Sequence, residues 1–123
     1  MISAVIFAGG VGSRMKSEDI PKQFIEVEGK PIIIHTLEKF ENHPRVDKIV
    51  VSCLESWIPI LEWEIQKYNI QKVVKIVKGG ENGHESIHNG LVEVAKFSSN
   101  DDMVLICDGV RPMITEQLIT NCI

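Results

Sequence analysis

The sequence predicts an α/β domain: a mostly parallel sheet covered by helices on both faces. Three observations carry that prediction. Short apolar, β-branched runs alternate with longer stretches of helical periodicity along the whole chain. The strand-like runs place apolar residues at consecutive positions, the pattern of strands buried on both faces. Marked loops follow three of those runs, after Ala8, after Val77 and after Ile106. In a parallel sheet all three lie beyond the carboxyl ends of the strands, where ligands of such folds bind.

In order, Ala4-Val5-Ile6-Phe7 is the first strand, and it stops at Ala8-Gly9-Gly10-Val11-Gly12. Lys16 to Ile20 is polar and reads as a lid-like loop. Phe24 to Val27 is a short extended segment with Glu28-Gly29 as its turn. A helix begins at Pro31, with Ile33, Ile34, Leu37 and Phe40 at helical spacing, and ends near His43-Pro44. Lys48 to Leu54 is the second strand. Ser56 reads as the N-cap of the next helix, with Pro59 in its first turn and Trp57, Leu61, Ile65 and Tyr68 on its apolar face. Val73 to Val77 is the third strand. A helix follows from about Glu85 to Phe97, with Ile87, Leu91 and Val94 inward. After a polar loop, Met103 to Ile106 forms the fourth strand and leads to Asp108, and a last helix starts near Thr115.

The 123 residues suffice for one domain with a single core. A composition 44% apolar and 24% charged is that of an ordinary soluble globular protein. The net charge of −4, with no basic block, argues against nucleic acid as a main partner. The sequence contains no apolar run of membrane-spanning length. Three cysteines, Cys53, Cys107 and Cys122, without a Cys-x-x-Cys pair, fit a reducing cytoplasm better than a disulfide framework. His35, His43, His84 and His88 show no metal-ligand spacing and read as surface or packing residues. Trp57 and Trp63 likewise read as packing residues, and Cys107 as a buried thiol.

The chemistry concentrates after the first strand. Gly9, Gly10 and Gly12 let the backbone approach a ligand closely, and successive N–H groups in such a loop make an anion-binding concavity. Arg14 follows the glycines, and Lys22 stands in Pro21-Lys22-Gln23. A bent backbone rimmed by two cations suits a nucleotide triphosphate. Two other phosphate loops do not fit. Gly10-x-Gly12-x-x ends on Met15 rather than a third glycine, and no acidic residue closes a second strand where a dinucleotide ribose would need it. The one Gly-Lys pair, Gly29-Lys30, precedes Pro31 and not Ser or Thr, so the P-loop pattern is absent.

Five segments in order resemble one family. AGGVGSRM, PKQF, GKPIIIHTLEKF, GGENGHESIHNGL and CDGVRP resemble the cytidylyltransferases for 2-C-methyl-D-erythritol 4-phosphate and for ribitol 5-phosphate. Asp108-Gly109-Val110-Arg111-Pro112 looks more like the ribitol phosphate branch, since the methylerythritol branch usually reads Asp-Ala-Ala-Arg-Pro. Both branches usually carry His where this chain has Cys107. The resemblance implies a Rossmann-like fold of the nucleotide-diphospho-sugar transferase type. It also implies transfer of CMP from CTP to a polyol phosphate with Mg²⁺, and a homodimer of the complete protein. The resembled chains are considerably longer, so the sequence is expected to be the N-terminal part, 1–123, of a single cytidylyltransferase domain.

The resemblance also assigns roles. Arg14 and Lys22 match the catalytic cations, and Ala8, Gly9, Gly10 and Gly12 the backbone that lines the nucleotide. Gly80, Glu81 and Ser86 match the stretch that contacts the cytosine base and ribose, and Asp108 the residue that holds the metal with the triphosphate. Arg111 either braces its loop or meets the acceptor phosphate. A nucleotide-binding domain without turnover is the reading from another class, and loss of a catalytic cation would mark it.

Overall fold

The apolar run at the amino terminus is the centre of the sheet. Ala4, Val5 and Ile6 are all fully buried, as consecutive strand residues must be when both faces are covered. The computed structural model describes residues 1–8, 21–80, 83–99, 101–109 and 115–123. In chain order the elements are β1 (Ile2–Ala8), a 3-10 turn at Lys22–Phe24, β2 (Glu26–Val27), β3 (Lys30–Pro31) and α1 (Ile32–Glu41). Then come β4 (Lys48–Cys53), a 3-10 turn at Glu55–Trp57, α2 (Ile58–Lys67), β5 (Val73–Lys78), α3 (Gly83–Ala95), β6 (Met103–Asp108) and α4 (Glu116–Cys122).

The main sheet is parallel in the order β5-β4-β1-β6. Ala4 stands opposite Ile49 and Leu105, and Phe7 opposite Ser52 and Asp108. The chain runs outward from β1 through β4 to β5, then returns to place β6 on the other side of β1. The order therefore reverses at β1, as in Rossmann-like folds, and a crevice forms there at the carboxyl edge. Helix α3 covers one face with Val94 against Val5 and Val50. Helices α1, α2 and α4 cover the other, where Ile33, Leu37, Phe40, Leu61 and Ile119 pack with Ala4, Ile6, Ile49 and Val51. Helices on both faces are thus as the sequence predicts.

Several boundaries differ, each for a local reason. Phe24 is not extended. It closes a 3-10 turn in which its N–H bonds to the Pro21 carbonyl at 2.9 Å, because its ring stacks on Trp57 with centroids 4.6 Å apart. Only Glu26–Val27 is extended, folding back on Lys30–Pro31 through Glu28 and Gly29 at φ of 55° and 79°. Ser56 is not an N-cap. It lies inside the second 3-10 turn, and Trp57 takes the cap position of α2 with no side-chain cap, while Pro59 falls in the first turn as expected. Trp57 packs as predicted, but Trp63 is 61% exposed, with the Lys67 ammonium 5.1 Å from its ring centroid.

Helix α3 starts two residues earlier than expected and turns Ser86, Gly90 and Val94 inward. Leu91 is only partly buried beside that cluster, and Ile87 is half-buried. Gly90 explains the choice. A Cβ there would stand 2.5 Å from Val5 Cγ1, so the glycine lets the helix approach the sheet more closely than a side chain would allow.

The histidines behave as packing or surface groups. His43 is buried, its Nε2 2.9 Å from Thr120 Oγ1 while Nδ1 accepts the Arg45 N–H. His84 and His88 are exposed. None of the three cysteines forms a disulfide, and burial pushes the Cys53 thiol up to about 12. Cys107 is buried, as expected. No helix among the described residues is long and apolar enough to cross a membrane.

Candidate nucleotide site

The crevice at the carboxyl edge is bounded by the ends of β1 and β6. Ala8 is the last residue of β1, and Asp108 the last of β6, paired in register with Phe7. The ladder continues one residue beyond β6, where the Gly109 N–H donates to the Phe7 carbonyl at 3.0 Å. Gly109 is also held from the opposite layer. Thr36, fully buried in α1, donates to the Gly109 carbonyl at 3.0 Å. Asp108 thus leaves the sheet on backbone fixed at the next residue by both β1 and α1. Phe7, Asp108 and the apolar side chains of β6 line a groove of about 520 Å³ that continues towards Ile119 and Cys122 of α4.

The loop after β5 forms the second part of the edge. Three of its residues are tied down in succession. The Lys78 carbonyl accepts from Asn89 Nδ2 at 2.9 Å, the Gly79 N–H donates to the Cys53 carbonyl at 2.7 Å, and the Gly80 N–H donates to Ser86 Oγ at 3.0 Å. A Cβ on Gly80 would collide with the Glu85 side chain, so only glycine fits there. Ser86 is fully buried, and its carbonyl accepts a 2.6 Å bond from Ser52 Oγ. Ser86 therefore joins β4, α3 and the Gly80 loop.

Lys22 heads the first 3-10 turn with its side chain exposed, while its neighbours Gln23 and Phe24 are buried. The Phe24–Trp57 stack docks that turn beside the loop that follows β4, which places Lys22 on the same edge as the other loops. Ala8, Lys22, Gly80, Ser86 and Asp108 thus lie along the carboxyl edge of one sheet. Gly9, Gly10, Gly12, Arg14, Glu81 and Arg111 lie outside the described residues, as does the lid-like segment Lys16 to Ile20.

Among the described residues no three His, Cys, Asp or Glu side chains cluster to hold a metal ion. Asp108 offers a hard carboxylate oxygen at the end of β6, where the crevice opens. That fits Mg²⁺, which binds one or two carboxylates and completes its shell with phosphate and water oxygens.

Sequence reading missed the supports behind these residues: Ser52, Thr36, Asn89 and Gly90. Two of them carried a signal. Gly90 interrupts a predicted helix, where glycine costs about 1 kcal/mol and marks a packing need. Ser52 interrupts an apolar strand with a hydroxyl that must find a partner.

Comparison with known proteins agrees with this geometry. The family model described as 2-C-methyl-D-erythritol 4-phosphate cytidylyltransferase (IspD) matches residues 2–123. A ribitol-5-phosphate cytidylyltransferase of Vibrio parahaemolyticus is 50% identical over 118 residues, covering 96% of this chain and 50% of the relative. A 2-C-methyl-D-erythritol 4-phosphate cytidylyltransferase of Clostridium botulinum is 45% identical over 119 residues, covering 97% and 50%. The crystal structure of the Francisella tularensis 2-C-methyl-D-erythritol 4-phosphate cytidylyltransferase superposes with a TM-score of 0.71 at 31% identity, covering 97% of this chain and 48% of that one. The chain spans about half the length of the curated relatives it matches.

Proposed function

The chain belongs to the 2-C-methyl-D-erythritol 4-phosphate cytidylyltransferase family, and from that premise we propose that the protein transfers CMP from CTP to D-ribitol 5-phosphate. The observation that carries the reading is the crevice at the β1/β6 reversal. There Asp108, at the head of an Asp-Gly-Val-Arg-Pro segment, stands in register beside the residue that leads into the glycine loop. The relatives named for ribitol 5-phosphate support that acceptor.

Such a transfer needs positioning and charge stabilisation, not a covalent enzyme intermediate. An oxygen of the acceptor phosphate attacks the α-phosphorus of CTP. The bond from that phosphorus to the bridging oxygen of the β-phosphate breaks, and pyrophosphate leaves with the electron pair. The products are CDP-ribitol and pyrophosphate. Ala8, Gly9, Gly10 and Gly12 present backbone N–H groups to the triphosphate. Arg14 and Lys22 face the oxygens that gain charge as the fifth bond forms. Gly80, Glu81 and Ser86 hold the cytosine and ribose, and Arg111 meets the acceptor phosphate or braces its loop. Asp108 would hold Mg²⁺, whose chemistry is to neutralise the triphosphate oxygens. The proposal extends to a homodimer working in the cytoplasm.

The second reading takes 2-C-methyl-D-erythritol 4-phosphate as acceptor, and the relatives named for that substrate favour it. Pyrophosphate release by the full-length protein, with CTP, Mg²⁺ and each acceptor in turn, decides between them. Ribitol 5-phosphate is expected to give the higher kcat/KM. The reverse order would favour the second reading, and no release with either would refute transferase activity. In the same assay Lys22→Ala is expected to lower kcat about a hundredfold, the usual loss for one group aimed at developing charge. A change below about threefold would make Lys22 a surface lysine, since transition-state stabilisation must show in kcat.

A further inference from the structure

Ser52 is buried to 0% exposure in β4, on the face of the sheet that lies under α3. A hydroxyl there costs free energy unless it is hydrogen-bonded, and an aliphatic side chain would fill a strand more favourably. Its Oγ donates to the Ser86 carbonyl at 2.6 Å. That bond depends on how close α3 lies. At Gly90, one turn beyond Ser86, an added Cβ would stand 3.2 Å from Ser52 Oγ as well as against Val5. Ser86 then passes the constraint on, because its own Oγ accepts the Gly80 N–H at 3.0 Å. Two bonds in series thus run from the sheet, through the backbone and side chain of one helical residue, to the loop after β5.

We infer that Ser52 is a positioning residue for that loop: it sets the depth of Ser86 and so the place of Gly80, without touching the nucleotide. The consequence for CTP rests on the proposed reading that Gly80, Glu81 and Ser86 hold the cytosine and ribose. Alternative slack in the loop is small. Lys78 and Gly79 are tied on one side, and a Cβ on Gly80 would strike Glu85 on the other. A shift of Ser86 is therefore transmitted to Gly80 and not absorbed before it.

The test is Ser52→Ala in the full-length protein, which removes the donor and adds no bulk. Amide hydrogen exchange at Gly80 is expected to speed up about tenfold and KM for CTP to rise by a similar factor, with kcat within about twofold, since one net hydrogen bond is worth about a factor of ten in an equilibrium. A role limited to core stability would lower the melting temperature and leave both Gly80 exchange and KM unchanged well below it. That result overturns the inference. Turnover of the parent protein with CTP tests the functional reading separately. If the parent fails to turn over, that reading falls, and Gly80 exchange alone still decides whether Ser52 sets the loop.

Discussion

On the face covered by α1, α2 and α4, the sheet is closed by aliphatic volume; on the face under α3 it is closed by proximity. The first face buries long side chains such as Ile33, Ile34, Leu37, Phe40 and Leu61. Among the described residues the second buries the aliphatics Val5, Val50 and Val94, interspersed with Gly90 and the hydroxyls of Ser52 and Ser86. Free energy from apolar area grows with the surface removed from water, so the first face carries most of the stability. Hydrogen bonds contribute less net energy but fix direction, so the second face carries the geometry of the loop after β5, while on the first face Thr36 fixes Gly109 beyond β6. The loop that needs geometry, after β5, is attached to the second face. The two faces should therefore respond differently to mutation, one in stability and the other in nucleotide affinity.

Truncation on the aliphatic face should give the largest effect. Leu37 is fully buried in α1, and Leu37→Ala removes volume that its neighbours can refill only in part. The expected loss is about 2–5 kcal/mol. It should appear in the urea midpoint of the full-length protein, while KM for CTP stays unchanged at low denaturant. A large rise in KM at unchanged midpoint would break the division between the faces.

On the α3 face, Gly90→Ala should give a smaller loss of stability and a larger change in binding. Overpacking against Val5 costs about 1–3 kcal/mol, and the better helix propensity of alanine returns about 1 kcal/mol. The net loss is then at most about 2 kcal/mol, from the same two terms. Because the helix must lift from the sheet, the Ser52–Ser86 bond should lengthen and CTP affinity fall, read by calorimetry. Unchanged affinity would mean that α3 can shift without moving the Gly80 loop.

What the sequence revealed follows the same division. The strands were legible because burial on both faces demands consecutive β-branched residues, as in Ala4 to Phe7 and Lys48 to Cys53. The edge position of Ala8, Gly80 and Asp108 followed from the parallel connection alone. The inward stripe of α3 was not legible. Hydrophobicity ranks Ile87 and Leu91 above Ser86 and Gly90, and periodicity has no measure of how near a helix approaches its sheet. The 3-10 turn at Lys22–Phe24 was hidden for a related reason. Its cause is the Trp57 ring, which is distant in sequence and adjacent only after folding. Ser56 has the residue type of an N-cap, yet the chain extends the preceding turn through it, so the local preference lost to the packing of Trp57.

The smallest expected effect separates a partnered hydroxyl from an unpartnered one on the same face. Ser3 alternates with Ala4 in β1 and so shares the α3 side of the sheet with Val5. Its Oγ is buried and has no hydrogen-bond partner among the described residues, whereas Ser52 has the Ser86 carbonyl. Removing a buried hydroxyl that bonds to nothing relieves its desolvation cost, so Ser3→Ala should be neutral or stabilising by up to about 1 kcal/mol. Gly80 exchange and KM for CTP should not move, because among the described residues no bond runs from the Ser3 hydroxyl to the loop. Ser52→Ala, an identical change of atoms, should move both. If Ser3→Ala instead costs more than about 1 kcal/mol, Ser3 has a partner such as a buried water. Polar ties would then extend under α3 as far as β1, and proximity on that face would be held by a network and not by the single Ser52–Ser86 connection.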